Sequence, residues 1–513
     1  MQTCCRVILV VLLSLSLVSL MACRQEAGSV TKAELSGIAT LSVVSGLKGT
    51  IEPCGCTSKP LGGLSRVAAE VKALHGERGA PLMVVGDTFF ELVDPPSERL
   101  DSEKAKAQII RDTLKSLPVV ALTTGDRDEL AGGAGWRSLL KGSGIPHMIY
   151  SRVRDSHGAV DSRLITVNDV KIGLLGASGK DGVAQPKLFT EAALAIRAQG
   201  AQVVVAMVPL AGEKAAEFTT FIDAIDIAIG GGTDEVKDPI VVDGTLLLQG
   251  RNKGRELGVL EIHRRGEGGF VFDDQGAALR RTLESRIDSL REMVEAMDEG
   301  PARVARQVKL EGLVKELDTL TVKAPDGNYI RWEARPISKK GESDTEIAEL
   351  IKNYNLSLCD YAAKSMSDNC TPALPGEAYV GNAVCKACHL EAFAVYEKTS
   401  HAKAWKTLEA AGKQCDVGCI QCHSVGFMEP GGPCSIKTLE GFKDVGCENC
   451  HGPGQAHVAD PSNRAGWGEK FVANPTESTC LTCHTPEHSD LFKYHTYLPK
   501  VLGVGHGLKN PTP

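Results

Sequence analysis

The chain has 513 residues, more than one hydrophobic core can organise, so two to four domains are expected. Its composition, 42% hydrophobic and 24% charged, is that of an ordinary globular protein. A net charge of −7 argues against a polyanionic partner, so nucleic acid is not expected to bind.

At the N-terminus, Arg6 precedes an apolar run, Val7 to Met21, which is too short and wrongly flanked for a spanning helix. The run ends in Leu20-Met21-Ala22-Cys23, which resembles the bacterial lipobox cut before a lipid-modified cysteine. Residues 1–22 are therefore read as a lipoprotein signal peptide and 23–36 as the linker after a lipidated Cys23. Such an anchor holds an exported protein to a membrane without crossing it. Arg24 does not resemble the inner-membrane retention signal, which favours the outer membrane, facing the periplasm or the cell exterior.

From 37 to 265 short apolar runs alternate with amphipathic segments. The runs are Ala39–Val44, Leu82–Val85, Val119–Leu122, Val170–Gly176, Val203–Val208 and Ile225–Ile229. Leu64–Leu74 and Pro186–Arg197 are amphipathic, and the pattern predicts a layered α/β domain. Asp243-Gly244 between two apolar runs reads as a hairpin turn. The order of elements resembles the metallophosphoesterase domain of secreted 5′-nucleotidases. Gly86-Asp87 ends a strand as that family's GD motif does, and Thr124-Gly125-Asp126-Arg127-Asp128 stands at its GNH-acid motif. Gly230-Gly231-Gly232-Thr233-Asp234 stands at its GHxH motif. The metal-binding residues are mostly replaced: Gly46-Leu47-Lys48, Arg127, Pro209, Gly232 and Asp234 stand where imidazoles or carboxylates should be. A two-metal hydrolase needs that cage, so the resemblance implies a scaffold whose hydrolytic chemistry is lost. In the same domain, Cys54-Gly55-Cys56 offers either a redox thiol pair or an inert disulfide.

Residues 266–375 read as a helical connector. Leu283, Ile287, Leu290, Val294 and Met297 keep helical spacing, as do Val304, Val308, Leu313 and Leu317. Gly300-Pro301 divides them into a hairpin that could serve as a dimer face. A strand-like stretch, Tyr329–Ile337, and a helix, Asp344–Tyr354, follow, and Pro372 to Pro375 reads as a hinge into the last domain, 376–513.

That domain holds four CxxCH motifs: Cys385/Cys388/His389, Cys419/Cys422/His423, Cys447/Cys450/His451 and Cys480/Cys483/His484. Two thiols three positions apart can reach the two vinyl groups of one haem, and the next histidine lies beneath the iron as proximal ligand. Four repeats in an exported chain point to four covalently attached haem c groups. Of the other cysteines here, Cys359–Cys370 and Cys415–Cys434 are the natural disulfide pairs by proximity, though spacing leaves the connectivity open. His401, His457, His488, His495 and His506 are the candidates for the distal axial position, with Met428 as an outside option.

Tyr379-Val380-Gly381, His401 with Trp405 and Leu408, CIQCH-Ser424-Val425-Gly426-Phe427, CENCHGPG with His457, CLTCHTPE and His506-Gly507 together resemble a tetrahaem cytochrome family. That family is typified by the electron acceptor of hydroxylamine oxidoreductase. The resemblance implies His401, His457 and His506 as distal ligands, and an iron lacking a strong sixth ligand. It leaves open which iron that is, and whether His488 or His495 fills the position.

The expected function is electron transfer by a membrane-anchored tetrahaem cytochrome with redox protein partners. One alternative is a haem oxidoreductase acting on a small nitrogen or oxygen species at an open iron. Another is thiol-redox or phosphoesterase activity in the N-terminal domain. The expected architecture is multidomain: a layered α/β domain, a helical connector, and a mainly α/irregular cytochrome.

Overall fold

The structure is a computed structural model, and it describes residues 35–53, 57–58, 60–130, 135–148, 162–176, 186–320, 324–503 and 505–506. Cys23, Cys54 and Cys56 lie outside the described residues.

Two mixed sheets form the N-terminal body. The first has the order β11-β12-β10-β1-β2-β3, from β1 (Ile38–Ser45), β2 (Leu82–Val85), β3 (Val119–Leu122), β10 (Glu256–His263), β11 (Val271–Phe272) and β12 (Tyr329–Pro336). The second runs β4-β5-β6-β7-β9-β8, from β4 (Ser162–Val167), β5 (Val170–Gly176), β6 (Val203–Val208), β7 (Ile227–Thr233), β8 (Ile240–Val242) and β9 (Thr245–Arg251). Strand alternation explains why they stack. On β6, Val203, Val205 and Met207 meet Ala39, Leu41 and Val43 of β1 in the core between the sheets. Val204, Ala206 and Val208 face outward, against Phe189 and Phe218.

Helices cover both outer faces. On the first sheet lie α1 (Leu64–Arg78) and α2 (Ser97–Lys115); on the second lie α3 (Pro186–Ala198) and α4 (Glu213–Thr220). The result is four layers, α/β/β/α, as the apolar runs predict. The Asp243-Gly244 turn joins β8 to β9, with positive φ at both residues (45° and 85°), as a tight twisted hairpin requires.

The connector does not stand apart from this body. Its strand-like stretch becomes β12, which pairs with β10 over eight residues, and Trp332 packs over Gly258, where any Cβ would collide with the indole. Its helices α5 (Gln275–Glu295) and α6 (Pro301–Asp318) form the expected hairpin through Leu283, Ile287, Leu310 and Leu313. Helix α7 (Thr345–Ser365) packs on α1 and α2 through Ile347, Ile351, Tyr354 and Leu358. Asp344 caps it, accepting from the Ile347 N–H at 3.1 Å, and pairs with Lys72 of α1 at 2.6 Å.

The disulfides differ from the pairing by proximity. They are Cys359–Cys415 and Cys370–Cys434, spanning 56 and 64 residues. Cys359 sits on α7, which lies against the segment leading to the second CxxCH motif, so both bridges join connector to cytochrome instead of closing local loops. The Thr371 region is also fastened: the Gly431 N–H donates to the Thr371 carbonyl at 2.8 Å. Residues 372–375 are therefore bracketed by fixed points and do not form a free hinge.

The C-terminal domain is built from short helices and turns around a small core of Trp405, Leu408, Val417, Ile420, Phe427 and Leu439. Among the described residues no helix is long and apolar enough to cross a membrane.

Candidate haem-binding site

Each CxxCH motif lies on or beside a short helix: Asn382–Lys386, Val417–His423, Cys447–His451 and Glu477–Leu481. Helical pitch sets positions i and i+3 on one face, which places each thiol pair together with the histidine that follows. All eight motif cysteines are outside disulfides. The four sites adjoin one another. The Cys385 and Cys447 thiols hydrogen-bond, joining the first site to the third, and Cys422 and Cys483 join the second to the fourth. Cys450 lies near Cys480 and Cys483, and burial pushes its thiol up to about 11.

Cys388 differs from the other motif thiols in its exposure. It is exposed, whereas the other seven motif cysteines are partly covered. The cause is local: the first helix ends at Lys386, and Cys388 sits in the turn that follows. Cys483, also past the end of its helix, is covered by Cys422 of the second motif.

Three of the motif histidines have Nδ1 held by a neighbour. His423 Nδ1 is 2.7 Å from the Ala404 carbonyl, His451 Nδ1 is 2.8 Å from the Val472 carbonyl, and His484 Nδ1 is 3.0 Å from Ser489 Oγ. Donation from Nδ1 to a carbonyl leaves Nε2 as the lone-pair nitrogen, the arrangement that orients an imidazole toward a metal.

The candidate distal residues divide cleanly. His457 faces His389 with ring centroids 6.0 Å apart, and His401 faces His484 at 6.0 Å. Two imidazoles on opposite sides of one metal ion, with metal–nitrogen bonds of about 2 Å, set their centroids on the order of 6 Å apart. Both pairs therefore fit an iron between them. Burial first, and then the charges of the nearby His451 and His389, hold the His506 pKa below the usual value. His457 Nδ1 is buried without a hydrogen-bond partner, and its ring stacks on Phe471 at 5.0 Å. Among the described residues no ring contact pairs a second histidine with His423. His495 makes an edge contact with Tyr494, and His488 lies in the turn after Thr485. Met428 packs against the Trp405 core.

Sequence reasoning passed over Glu448, the second residue of the third motif. Its side chain is buried, and its carboxylate accepts from the N–H groups of Gly381 (2.8 Å), Val380 (2.9 Å) and Gly454 (2.8 Å). One carboxylate thus ties the approach to the first motif to the turn after the third. Asn382 and Asn449 extend the network: the Cys447 N–H donates to Asn382 at 2.9 Å, and Asn449 donates to the Ser424 carbonyl at 2.8 Å. The visible signal was a charged residue inside a motif whose other variable positions are mostly neutral. Gly426 also has a local cause, since a Cβ there would meet the Tyr379 ring.

In the N-terminal body the C-terminal ends of the parallel strands converge, as the motif order predicts. A Cβ added at Gly46 would stand 3.2 Å from Gly232 Cα, and one at Gly86 3.2 Å from Gly231 Cα, so the strand ends approach closely. The charges there neutralise one another. Arg127 donates its backbone N–H to Asp87 Oδ1 at 2.9 Å and sets its guanidinium 3.4 Å from Asp87 Oδ2. Burial lowers the Lys48 pKa, a drop opposed by Asp234 and Asp87. Asp128 is fully buried and accepts from the N–H groups of Thr88, Phe89 and Phe90; burial and nearby Asp87 push its carboxyl up to about 7. Among the described residues no group of three or more His, Cys, Asp or Glu side chains could hold a metal ion. Side-chain cations, Lys48 and Arg127, stand beside the carboxylates instead.

The cytochrome domain closes over this crevice. Glu487, three residues after His484, pairs with Lys253, and Asp490 accepts from Ser58 Oγ at 2.6 Å and Ser58 N–H at 3.0 Å. Lys413 pairs with Glu52 at 2.6 Å. The segment Cys54-Gly55-Cys56 is thus flanked on both sides by residues fastened to the cytochrome.

Residues 384–452 match the model of the family described as cytochrome c554 and c-prime. This segment is similar to cytochromes c, and its CxxCH motifs are those that would hold covalent haem c. Among solved structures, the chain is similar to a 5′-nucleotidase precursor from Thermus thermophilus (15% identity, 73% of this chain and 68% of that one, TM-score 0.43). It is also similar to the sulfate thiohydrolase SoxB of the same organism (15% identity, 63% and 60%, TM-score 0.42). A third likeness is to the NAD nucleotidase of Haemophilus influenzae (14% identity, 68% and 64%, TM-score 0.43). The chain spans less than two thirds of the latter two. No curated protein matches it in sequence. The protein joins a four-layered α/β body to a C-terminal domain that contains the segment matching the cytochrome c554 and c-prime model.

Proposed function

We propose that this protein transfers electrons through four covalently held haem c groups, as an exported protein anchored to a bacterial membrane by a lipid on Cys23. The facing imidazole pairs at 6.0 Å carry the reading. Haem c supplies reversible one-electron chemistry when bound. The chain supplies eight thiols for attachment and His389, His423, His451 and His484 as proximal ligands. His457 serves the first site, His401 the fourth and His506 the third as distal ligands. Two strong imidazoles keep an iron low-spin and change its surroundings little on electron exchange, which suits carriage. The contiguity of the four sites supports passage of electrons among them and onward to redox protein partners. Exposed Val304 and Val308 on α6 support self-association through the hairpin.

The test is a haem count and a low-temperature EPR spectrum of the purified protein. Four haems per chain, with three low-spin signals and one high-spin signal, are expected; two haems or fewer would overturn the reading.

A second reading rests on His423, which has no facing histidine ring among the described residues. An open iron there would bind a small nitrogen or oxygen species. A high-spin signal that shifts with nitrite or hydroxylamine supports it, and only low-spin signals sink it. The flanking contacts of Cys54 and Cys56 favour a thiol pair in exchange with the cytochrome. Unchanged haem reduction kinetics after Cys54→Ser plus Cys56→Ser would defeat that. Phosphoester hydrolysis is not proposed, and metal analysis with a phosphatase assay checks this.

A further inference from the structure

Between the third and fourth motifs, the segment 467–472 folds back over two of the histidines described above. Val472 grips His451 twice: its N–H donates to the His451 carbonyl at 2.7 Å, and its own carbonyl lies 2.8 Å from His451 Nδ1. Gly452 permits this approach, since a Cβ there would collide with the Lys470 carbonyl. Trp467 donates its indole N–H to the Asp460 carbonyl at 3.0 Å, and Lys470 pairs with Glu377 at 3.2 Å. Phe471 is thus carried on a segment fastened on both sides.

Its ring stacks on His457 at 5.0 Å, 22° from parallel, and on His451 at 6.2 Å, 26° from parallel. Trp467 stands at 78° to His457, with centroids 4.4 Å apart, and at 80° to Phe471. The two aromatics make a corner that receives the His457 ring. That corner takes the place of a hydrogen bond found elsewhere. His423, His451 and His484 each have Nδ1 held by a neighbour, whereas His457 Nδ1 is buried without a partner. A hydrogen bond at the far nitrogen normally fixes the rotation of a metal-bound imidazole. At His457 ring packing does so instead. A ring laid on the face of an imidazole leaves its in-plane nitrogens free, so the contact is compatible with a bond from His457 to iron.

We propose that Phe471 is a positioning residue shared by two irons, setting the imidazole plane of His457 at the first site and of His451 at the third. The proposal rests on the ligand assignment made under the proposed function. Axial ligands and their surroundings are the protein's levers on a haem. The angle between two axial imidazole planes sets the g values of low-spin ferric iron. One side chain therefore adjusts the electronic state of two neighbouring sites. Among the described residues it makes no ring contact with His401 or His484, so the fourth site is independent of it.

The test is low-temperature EPR of the full-length haem-loaded protein carrying Phe471→Leu, which keeps an apolar side chain and removes the flat ring. His457→Ala, His506→Ala and His401→Ala assign the low-spin signals to the first, third and fourth sites by the loss of each. In Phe471→Leu the first-site and third-site signals should shift in g value, the first by more. The fourth-site signal and the haem count should stay as in the unaltered protein. Phe471→Tyr, which retains the ring, should return both signals to their original positions. A general loosening of the domain would move the fourth-site signal as well. First-site and third-site signals unmoved by Phe471→Leu, or a fourth-site shift as large as theirs, would overturn the proposal. If the three alanine replacements remove no separate signals, the ligand assignment falls and takes the proposal with it, a failure distinct from the first.

Discussion

The two ends of this protein hold their shape in different ways. The N-terminal body fills its interior with its own side chains: the core between its sheets runs from Ala39 to Trp332, and its outer faces bury Phe189, Phe218 and Ile110. The cytochrome has one small apolar cluster, and its helices that carry the motifs are five to seven residues long. Helices of that length do not persist alone. The domain is held by disulfides, by buried polar staples such as Glu448, and by sites that suit an inserted cofactor. One region is complete as polypeptide, whereas the other is a frame with places kept for something else.

The sharpest break of this contrast is to withhold haem. Expressed without haem attachment, the protein should lose order across 376–503 while the sheet body stays folded. Limited proteolysis would show a resistant N-terminal fragment of residues 35–365. Next in size is Glu448→Ala, which orphans two buried N–H groups and one partly buried one and should cost about 3–5 kcal/mol in the cytochrome transition. Its signature is loss of the low-spin signals of the first and third sites before any change in the sheet body. Opening Cys359–Cys415 with paired serines should cost about 2–4 kcal/mol, read from urea unfolding followed by haem absorbance. On the other side, Gly258→Ala presses a methyl into the Trp332 indole and should cost about 1–3 kcal/mol in the sheet body, with the haem spectrum unchanged. The smallest effect belongs to Lys253→Ala. This partly exposed pair with Glu487 should be worth no more than about 1 kcal/mol and should fade with added salt.

The same contrast explains what the sequence disclosed. Strands such as Val203–Val208 announce themselves through alternation, a local property, and the CxxCH motifs are more local still. Pairings at long range were hidden. Nothing in Tyr329–Ile337 says that it completes a sheet begun nearly three hundred residues earlier, because that depends on β10 having a free edge and on Gly258 leaving room for Trp332. Cysteine proximity suggested the wrong disulfides for the same reason: α7 brings Cys359 to Cys415, and only tertiary packing can say so. The exposure of Cys388 was equally hidden, since the motif fixes the spacing of two thiols and says nothing of what covers them. His401 and His457 were singled out as distal ligands only through family likeness, and which motif histidine each one faces was not legible at all, because that depends on how the short helices pack. Glu448 was passed over because a buried carboxylate looks like a surface one until its donors, far apart in the chain, are assembled.

The bridges at Cys359–Cys415 and Cys370–Cys434 carry a further consequence. A cytochrome on a loose tether works as a ferry, swinging between a donor and an acceptor within the reach of its leash. Here the module is moored at two points and rests on the body beneath it, so it cannot travel. On the function proposed above it would work as a berth, exchanging electrons with proteins that come to the faces the mooring leaves open.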